Sequence, residues 1–297
     1  MQVNRNRLAA LALLGVGFGW GAAFVLMKDA IEQQSLYDFL ATRFSIAALA
    51  MVTIRPRILT QLRASDLKRG VPLGVLLAGG YLTQTIGLEL TTAAISGFVT
   101  GLYVVITPLL IWWFFRKLPA RKIWVAVMLA VAGLALISGA NLDSLEFQSG
   151  QLWLIACAFI FALHIVGLGT WSKGRDAYSF AFLQIATVAV VSWIFALIDG
   201  YQAPPSGEVW FALLVTALFA TVGAFWAQTW AQSILDSARV ALLLTSEVVF
   251  AAAIAVAVGQ EQLGLSLVIG GSLMLGAMLI AEWPESKAKA NKLKSDV

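Results

Sequence analysis

Ten apolar stretches, each near the length needed to cross a bilayer, recur along this chain. They lie at 8–27, 37–54, 71–88, 93–115, 121–140, 151–171, 178–198, 209–230, 237–258 and 263–281. A helix rising about 1.5 Å per residue needs about 20 mostly apolar residues to cross a hydrocarbon core of about 30 Å. Short polar connections such as IRPRILTQLRASDLKRG (54–70) and GYQAPPSG (200–207) separate the stretches. Of the 297 residues, 60% are hydrophobic and 12% charged. Soluble domains carry about twice that share of charge, so water is not the solvent this surface suits. Only helices and closed barrels satisfy their backbone inside lipid, and the alternating pattern of a membrane barrel is absent. The expectation is an all-α polytopic membrane protein.

Charge sets the expected direction of threading. With the N-terminus inside, 18 of the 20 basic residues fall in inner connections or at the ends, from Arg5 and Arg7 to Lys292 and Lys294. The opposite side holds Lys28, and Arg43 lies within the second stretch. Short loops rich in Lys and Arg stay on the cytoplasmic side, so both termini are expected to be cytoplasmic in a bacterial-type inner membrane. The first apolar stretch is too long for a cleaved secretory signal and is followed by further spans. The basic segment 284–297 reads as a solvated cytoplasmic tail. One cysteine, Cys157, excludes an intramolecular disulfide, and no His/Cys cluster suggests a metal.

An internal repeat organises the spans. GGYLTQT (79–85) in the third corresponds to GAFWAQT (223–229) in the eighth at an offset of 144. SLYDF (35–39), opening the second, corresponds to DAYSF (176–180), opening the seventh, at an offset of 141. Two halves follow, 1–145 and 146–283, each of five spans. Because five is odd, the second half must be inverted in the membrane relative to the first. Inverted repeats suit alternating access around a midplane site between the halves, which points to a transporter.

At this point the residues carry a family resemblance. WGAAFVLMKDAI (20–31), DFLATRF (38–44), TTAAISGFVTGLYVVITPLL (91–110) and SARVALLLTSEVVFAAAIAVAVGQEQL (237–263) resemble the EamA type of the drug/metabolite transporter superfamily. The resemblance implies ten transmembrane helices in two inverted five-helix repeats, exporting amino acids or other small metabolites. Two departures mark this chain: Glu247–Val248 stands where the family has Glu-Pro, and LPARK (118–122) where a Gly-Glu is frequent, while Glu261 keeps that role in the second half.

Polar residues at helical spacing nominate the cavity. Ser96, Thr100, Tyr103 and Thr107 share one face of the fourth span; Thr221, Phe225, Gln228 and Gln232 share one face of the eighth. Tyr81, Gln84 and Thr85 form a stripe on the third. Interhelical hydrogen bonding, at about 0.6–2 kcal/mol per bond, is the competing reading of such stripes. Aromatics near the expected cavity are Trp20, Phe24, Tyr81, Tyr103, Phe225 and Trp226, whereas Trp112, Trp113, Trp153, Trp210 and Trp283 sit at span ends as belt residues. His164, the one histidine, either makes a fixed hydrogen bond or relays protons. Expected substrate contacts are therefore Trp20, Phe24, Tyr81, Gln84, Ser96, Thr100, Tyr103, His164, Phe225 and Gln228, with Pro108 as a flexing point.

Two charges lie inside spans. Arg43 is about 9 Å and Glu247 about 16 Å below the outer ends of their helices. A lone charge at such depth is costly, so the two are expected either to pair or to serve coupling. The sequence reads as an exporter of neutral amino acids with aromatic or bulky apolar side chains, acting as a monomer by alternating access. The alternative is a proton-coupled exporter of cationic drugs or polyamines that uses Glu247. An intramembrane enzyme is disfavoured because no Ser/His pair, acidic dyad or metal cluster appears at useful spacing. No cofactor or nucleic-acid partner is expected, and the absence of a nucleotide-binding motif argues against direct ATP use.

Overall fold

The computed structural model describes residues 2–90, 99–137, 149–259 and 264–283; the basic tail (284–297), Ser96 and Glu261 lie outside the described residues. Within them every regular element is helical. The helices are α1 (Gln2–Gln33), α2 (Leu36–Ile54), α3 (Ile58–Gln61), α4 (Ala64–Glu89), α5 (Tyr103–Phe115), α6 (Arg121–Ile137) and α7 (Ser149–Trp171). They continue as α8 (Ala177–Asp199), α9 (Gly207–Ala217), a π-helical segment (Leu218–Gly223), α10 (Ala224–Gln232), α11 (Ser237–Leu244), α12 (Ser246–Ala257) and α13 (Leu265–Glu282). Among the described residues six stretches are long and apolar enough to cross a membrane: Asn4–Gln33, Leu36–Ile54, Gly150–Trp171, Ala177–Ile198, Gly207–Gln232 and Ser237–Ala257. Val99–Phe115 and Leu265–Ala281 are shorter apolar helices. The other two predicted spans coincide with α4 and α6.

The outer surface is apolar. Leu49, Phe219 and Leu279 are 67%, 71% and 68% exposed, which suits lipid and not water. Polar side chains are instead turned inward: Arg43, Gln184, Gln228, Gln232 and Thr221 are all buried. The helix packing pairs α2 with α8, α6 with α13, α4 with α7 and α8, and α1 with α10 and α12.

Close approach of α1 to α12 depends on two glycines one turn apart. A Cβ at Gly17 would lie 2.1 Å from Ser246 Oγ, and one at Gly21 would lie 2.7 Å from the Ala251 backbone nitrogen. Small residues four apart let membrane helices touch backbone to backbone. Gly15 and Gly19, on the same helix, face open space.

Three irregularities interrupt the long spans. In the fourth, a tight turn at Leu102 (φ −62°, ψ −9°) precedes α5, while Pro108 stays inside that helix and buried. The break thus falls six residues before the proline expected to mark it. Pro108 offers no N–H to the Val104 carbonyl and its ring crowds that turn, which loosens the helix on its N-terminal side. In the ninth span, Thr245 (φ −61°, ψ −10°) separates α11 from α12 without any proline, and its hydroxyl donates to the Leu242 carbonyl at 2.7 Å. In the eighth, the π-helical turn at Leu218–Gly223 shifts the register between α9 and α10.

Polar ties fasten the helix ends. Asp176 caps α8, accepting from Ser179 N at 3.0 Å, and pairs with Arg55 at the end of α2 at 2.7 Å. Burial would raise the Asp176 carboxyl, but the Ser179 hydroxyl and amide and the Arg55 guanidinium outweigh it and hold the group below its ordinary value. Arg175 pairs with Asp66 at the start of α4. At another set of ends, Asp38 accepts from Gln202 N at 3.0 Å and the Gln34 amide donates to Gln202 O at 2.8 Å.

Candidate functional site

The centre of the bundle holds a cavity of about 340 Å³, at the small end of the range for ligand pockets. One wall is aromatic. Trp20 of α1 meets Phe225 of α10 at 5.6 Å between ring centroids, and Tyr81 of α4 meets Phe161 of α7 at 6.0 Å. Phe44 of α2 closes on Tyr81 edge to face at 5.2 Å, in the geometry that opposed ring quadrupoles favour. Met27, Leu40, Leu77, Ile165 and Leu244 complete the apolar lining. The lining reaches Ile31, Glu32 and Leu36 at the end of α1 and the start of α2.

The polar groups on this lining are few and each has a definable state. Arg43 is 3% exposed. Its Nε donates to Thr221 Oγ1 at 2.9 Å, Nη1 to Met27 Sδ at 3.1 Å and Nη2 to the Ala220 carbonyl at 3.4 Å. The π-helical turn makes this possible, because it presents Ala220 O sideways; the Trp20 indole donates to the same carbonyl at 2.9 Å. Thr221 in turn donates to Thr216 O, five residues back, at 3.0 Å.

Glu247, in the first turn of α12, also lines the cavity. It makes no ion pair or hydrogen bond among the described residues, and the ion pairs found there, Arg55–Asp176 and Arg175–Asp66, involve neither it nor Arg43. The expected Arg43–Glu247 pair is therefore not formed in this structure. The guanidinium is instead held by Thr221 and Ala220 of the turn that faces α2 and by Met27 of α1.

His164 Nε2 lies 2.7 Å from Gln184 Oε1, while Gln184 Nε2 donates to the Phe180 carbonyl at 3.0 Å. That carbonyl can only accept, so the glutamine oxygen must accept from His164, which places the ring proton on Nε2. A similar chain fixes Gln228. Gln232 Nε2 donates to Ile165 O at 2.7 Å, Gln228 Nε2 donates to Gln232 Oε1 at 3.0 Å, and Gln228 Oε1 is left buried without a donor. The Tyr103 hydroxyl is likewise buried and unpartnered.

Trp20, Arg43, Tyr81, Gln84, Tyr103, His164, Phe225, Gln228 and Glu247 thus meet on one cavity. Thr100 does not: it is buried 3.9 Å from Cys157 Sγ, where it joins α7 to the segment before α5. Its neighbour in the stripe, Thr107, donates to Tyr103 O at 2.7 Å, and Pro108 lies off the lining. Ser96 and the Phe24 side chain lie outside the described residues. Trp226 is 50% exposed and stacks edge-on against Tyr178, about 100° around α10 from Phe225 and off the lining.

A model of the EamA-like transporter family matches residues 7–139 and again residues 148–282. The chain belongs to this family. As an EamA-like transporter it is a multi-pass membrane protein that moves solute across the bilayer. An uncharacterized transporter of Archaeoglobus fulgidus is 32% identical over 272 residues, covering 92% of this chain and 85% of that one. A solved crystal structure, 18% identical, superposes with a TM-score of 0.77 over 97% of this chain and 99% of its own, a likeness of fold alone.

Several lining residues of this EamA-like transporter escaped sequence reasoning, chiefly Phe161, Met27 and Glu32. Phe161 shares a helical face with His164, which is the signal that could have found it. Met27 carried the same signal, seven residues after Trp20 on one helical face, but its role as an acceptor for Arg43 comes from a contact between helices that spacing does not show.

Proposed function

We propose that this chain exports small metabolites, foremost neutral amino acids with aromatic or bulky apolar side chains, by alternating access of the central cavity. The cavity carries the reading: α1, α2, α4 and α5 of the first half and α7, α10, α11 and α12 of the second all contribute to one lining of aromatic rings and a few polar groups. Such a site suits a solute with a large apolar side chain and a compact polar end.

The proposed architecture is ten transmembrane helices in two inverted five-helix halves, with both termini in the cytoplasm of an inner-membrane host and a monomer as the working unit. Three observations support it. The family model matches each half separately. The breaks at Leu102 and Thr245 occupy corresponding places in the fourth and ninth spans. The packing also exchanges into itself when the halves are swapped: α4 on α7 answers to α10 on α1, and α12 on α1 answers to α5 on α7. In this topology the lining at Ile31, Glu32 and Leu36 faces outward, and rocking of the halves would bring the site to the other side.

Counterflow in proteoliposomes against a panel of amino acids and organic cations, repeated with an imposed pH gradient, tests the reading. Gln228→Ala and Tyr103→Ala are expected to weaken amino-acid transport several-fold while the protein remains folded. Unchanged kinetics in both variants would remove the cavity assignment. The second reading, a proton-coupled exporter of cationic drugs or polyamines, is favoured by Glu247, which lines the cavity without an ion-pair partner among the described residues. It requires competition between protons and the cation, and the Arg43 charge on the same cavity opposes it.

A further inference from the structure

We infer that Arg43 and Glu247 are the two poles of a clamp for a zwitterion, with Arg43 receiving the substrate carboxylate and Glu247, helped by Gln228 Oε1, receiving its ammonium. This rests on the amino-acid reading above and assigns atoms to it.

The cation side is prepared but unfilled. A guanidinium has five N–H donors. In Arg43 three of them go to a hydroxyl, a thioether and a carbonyl, all neutral. One N–H on Nη1 and one on Nη2 remain without an acceptor among the described residues, and Arg43 lines the cavity. A carboxylate can accept from both, in short charge-assisted bonds. The contacts from the π-helical turn fix the guanidinium on its other edges, so its direction is set before a ligand arrives. A buried cation without a counter-ion is costly, and an incoming anion relieves that cost.

The anion side is its complement. Glu247 can only accept when ionised, and Gln228 is oriented so that its free end is also an acceptor. That orientation is forced, because Ile165 O accepts from Gln232, which must then accept from Gln228. Glu247 and Gln228 both line the cavity, and acceptors left without donors there call for a donor-rich group; an ammonium has three donors to give. By the helical rise Arg43 and Glu247 differ by about 7 Å in depth, room for a ligand's polar end between them.

The arrangement selects against both halves of the substrate taken alone. An amine leaves Arg43 unmatched, and a deaminated acid leaves Glu247 and Gln228 unmatched. Sites whose buried polar groups lose their partners reject the analogue far more strongly than apolar walls do.

The test uses the full chain in proteoliposomes and counterflow of labelled phenylalanine. Competitors are unlabelled phenylalanine, phenethylamine and 3-phenylpropionate. In the wild type the zwitterion should compete at least about tenfold better than either analogue. Arg43→Gln should weaken phenylalanine by at least about tenfold and abolish its advantage over phenethylamine. Glu247→Gln should abolish the advantage over 3-phenylpropionate and leave that over phenethylamine. Equal competition by the three compounds in the wild type, or unaltered discrimination in both variants, overturns the clamp while amino-acid transport stands. Absence of saturable transport of any amino acid by the wild type overturns both. Should Arg43→Gln fail to fold, wild-type competition and Glu247→Gln decide the matter.

Discussion

Substituting alanine for Gly21, Gly17 and Gly19 in turn gives a graded test of how α1 meets α12. A Cβ at Gly21 would stand 2.7 Å from Ala251 N and 2.8 Å from Glu247 O, both backbone atoms that cannot rotate away. Restoring ordinary contact near 3.4 Å requires the helices to part by about 0.7 Å. Overpacking of this kind costs about 1–3 kcal/mol. At about 2–4 °C per kcal/mol for a chain of roughly this size, Gly21→Ala should melt about 2–12 °C below the wild type. At Gly17 the nearest atom is the Ser246 hydroxyl, which has no partner and can turn, so the loss should be smaller. Gly19 has nothing within 4 Å, and alanine gains helix propensity there, so its melting point should hold or rise. Tryptophan fluorescence during heating in nanodiscs reads all three. Gly21→Ala and Gly19→Ala melting within 1 °C of each other would refute the close approach. Because Gly21 abuts the backbone carbonyl of Glu247, the same variant should also slow transport more than Gly19→Ala does.

Other consequences can be checked alongside the Gln228, Tyr103, Arg43 and Glu247 variants above. Phe225→Ala should raise the KM for an aromatic substrate several-fold, whereas Trp226→Ala, one residue on but facing away from the cavity, should leave it within about twofold; equal effects would mean that α10 is rotated from the position described. Asp176→Ala removes a helix cap, an expected loss of about 0.5–1 kcal/mol given its exposure, measured by thermal melting. The Asp176 carboxyl titrates below its unfolded value, so its contribution is complete above that value and disappears as the pH falls through the folded one. Wild-type stability should therefore fall more steeply below about pH 4 than that of Asp176→Asn, and parallel acid limbs would contradict the ion pair with Arg55.

How much of the site was legible depended on whether a residue's role was set along its own helix. Tyr81, Gln84, Phe225 and Gln228 could be found because a helix of 3.6 residues per turn puts them on one face. The same rule placed Thr100 with Tyr103, yet in the structure Thr100 turns to Cys157 of α7. A stripe of polar residues wide enough to touch two neighbours is split between them, and the sequence does not say where the division falls. Trp226 illustrates the finer failure: adjacent aromatics on a helix point about 100° apart, so only one of the pair could face inward.

The sequence alone determined that this chain is helical and lies in a membrane, because apolar length and sparse charge leave no other solvent or backbone geometry. It also carried the family resemblance, since that is written in residue order. The tertiary structure decided what Arg43 and Glu247 do with each other. Their pairing depended on which turn α2 faces, and a π-helical segment in the eighth span offers Arg43 a carbonyl and a hydroxyl instead. Nothing in the residue types announced that turn, which arises from packing between helices. Glu247 is consequently left facing a cavity and not a counter-ion, a result that three-dimensional contact alone could produce.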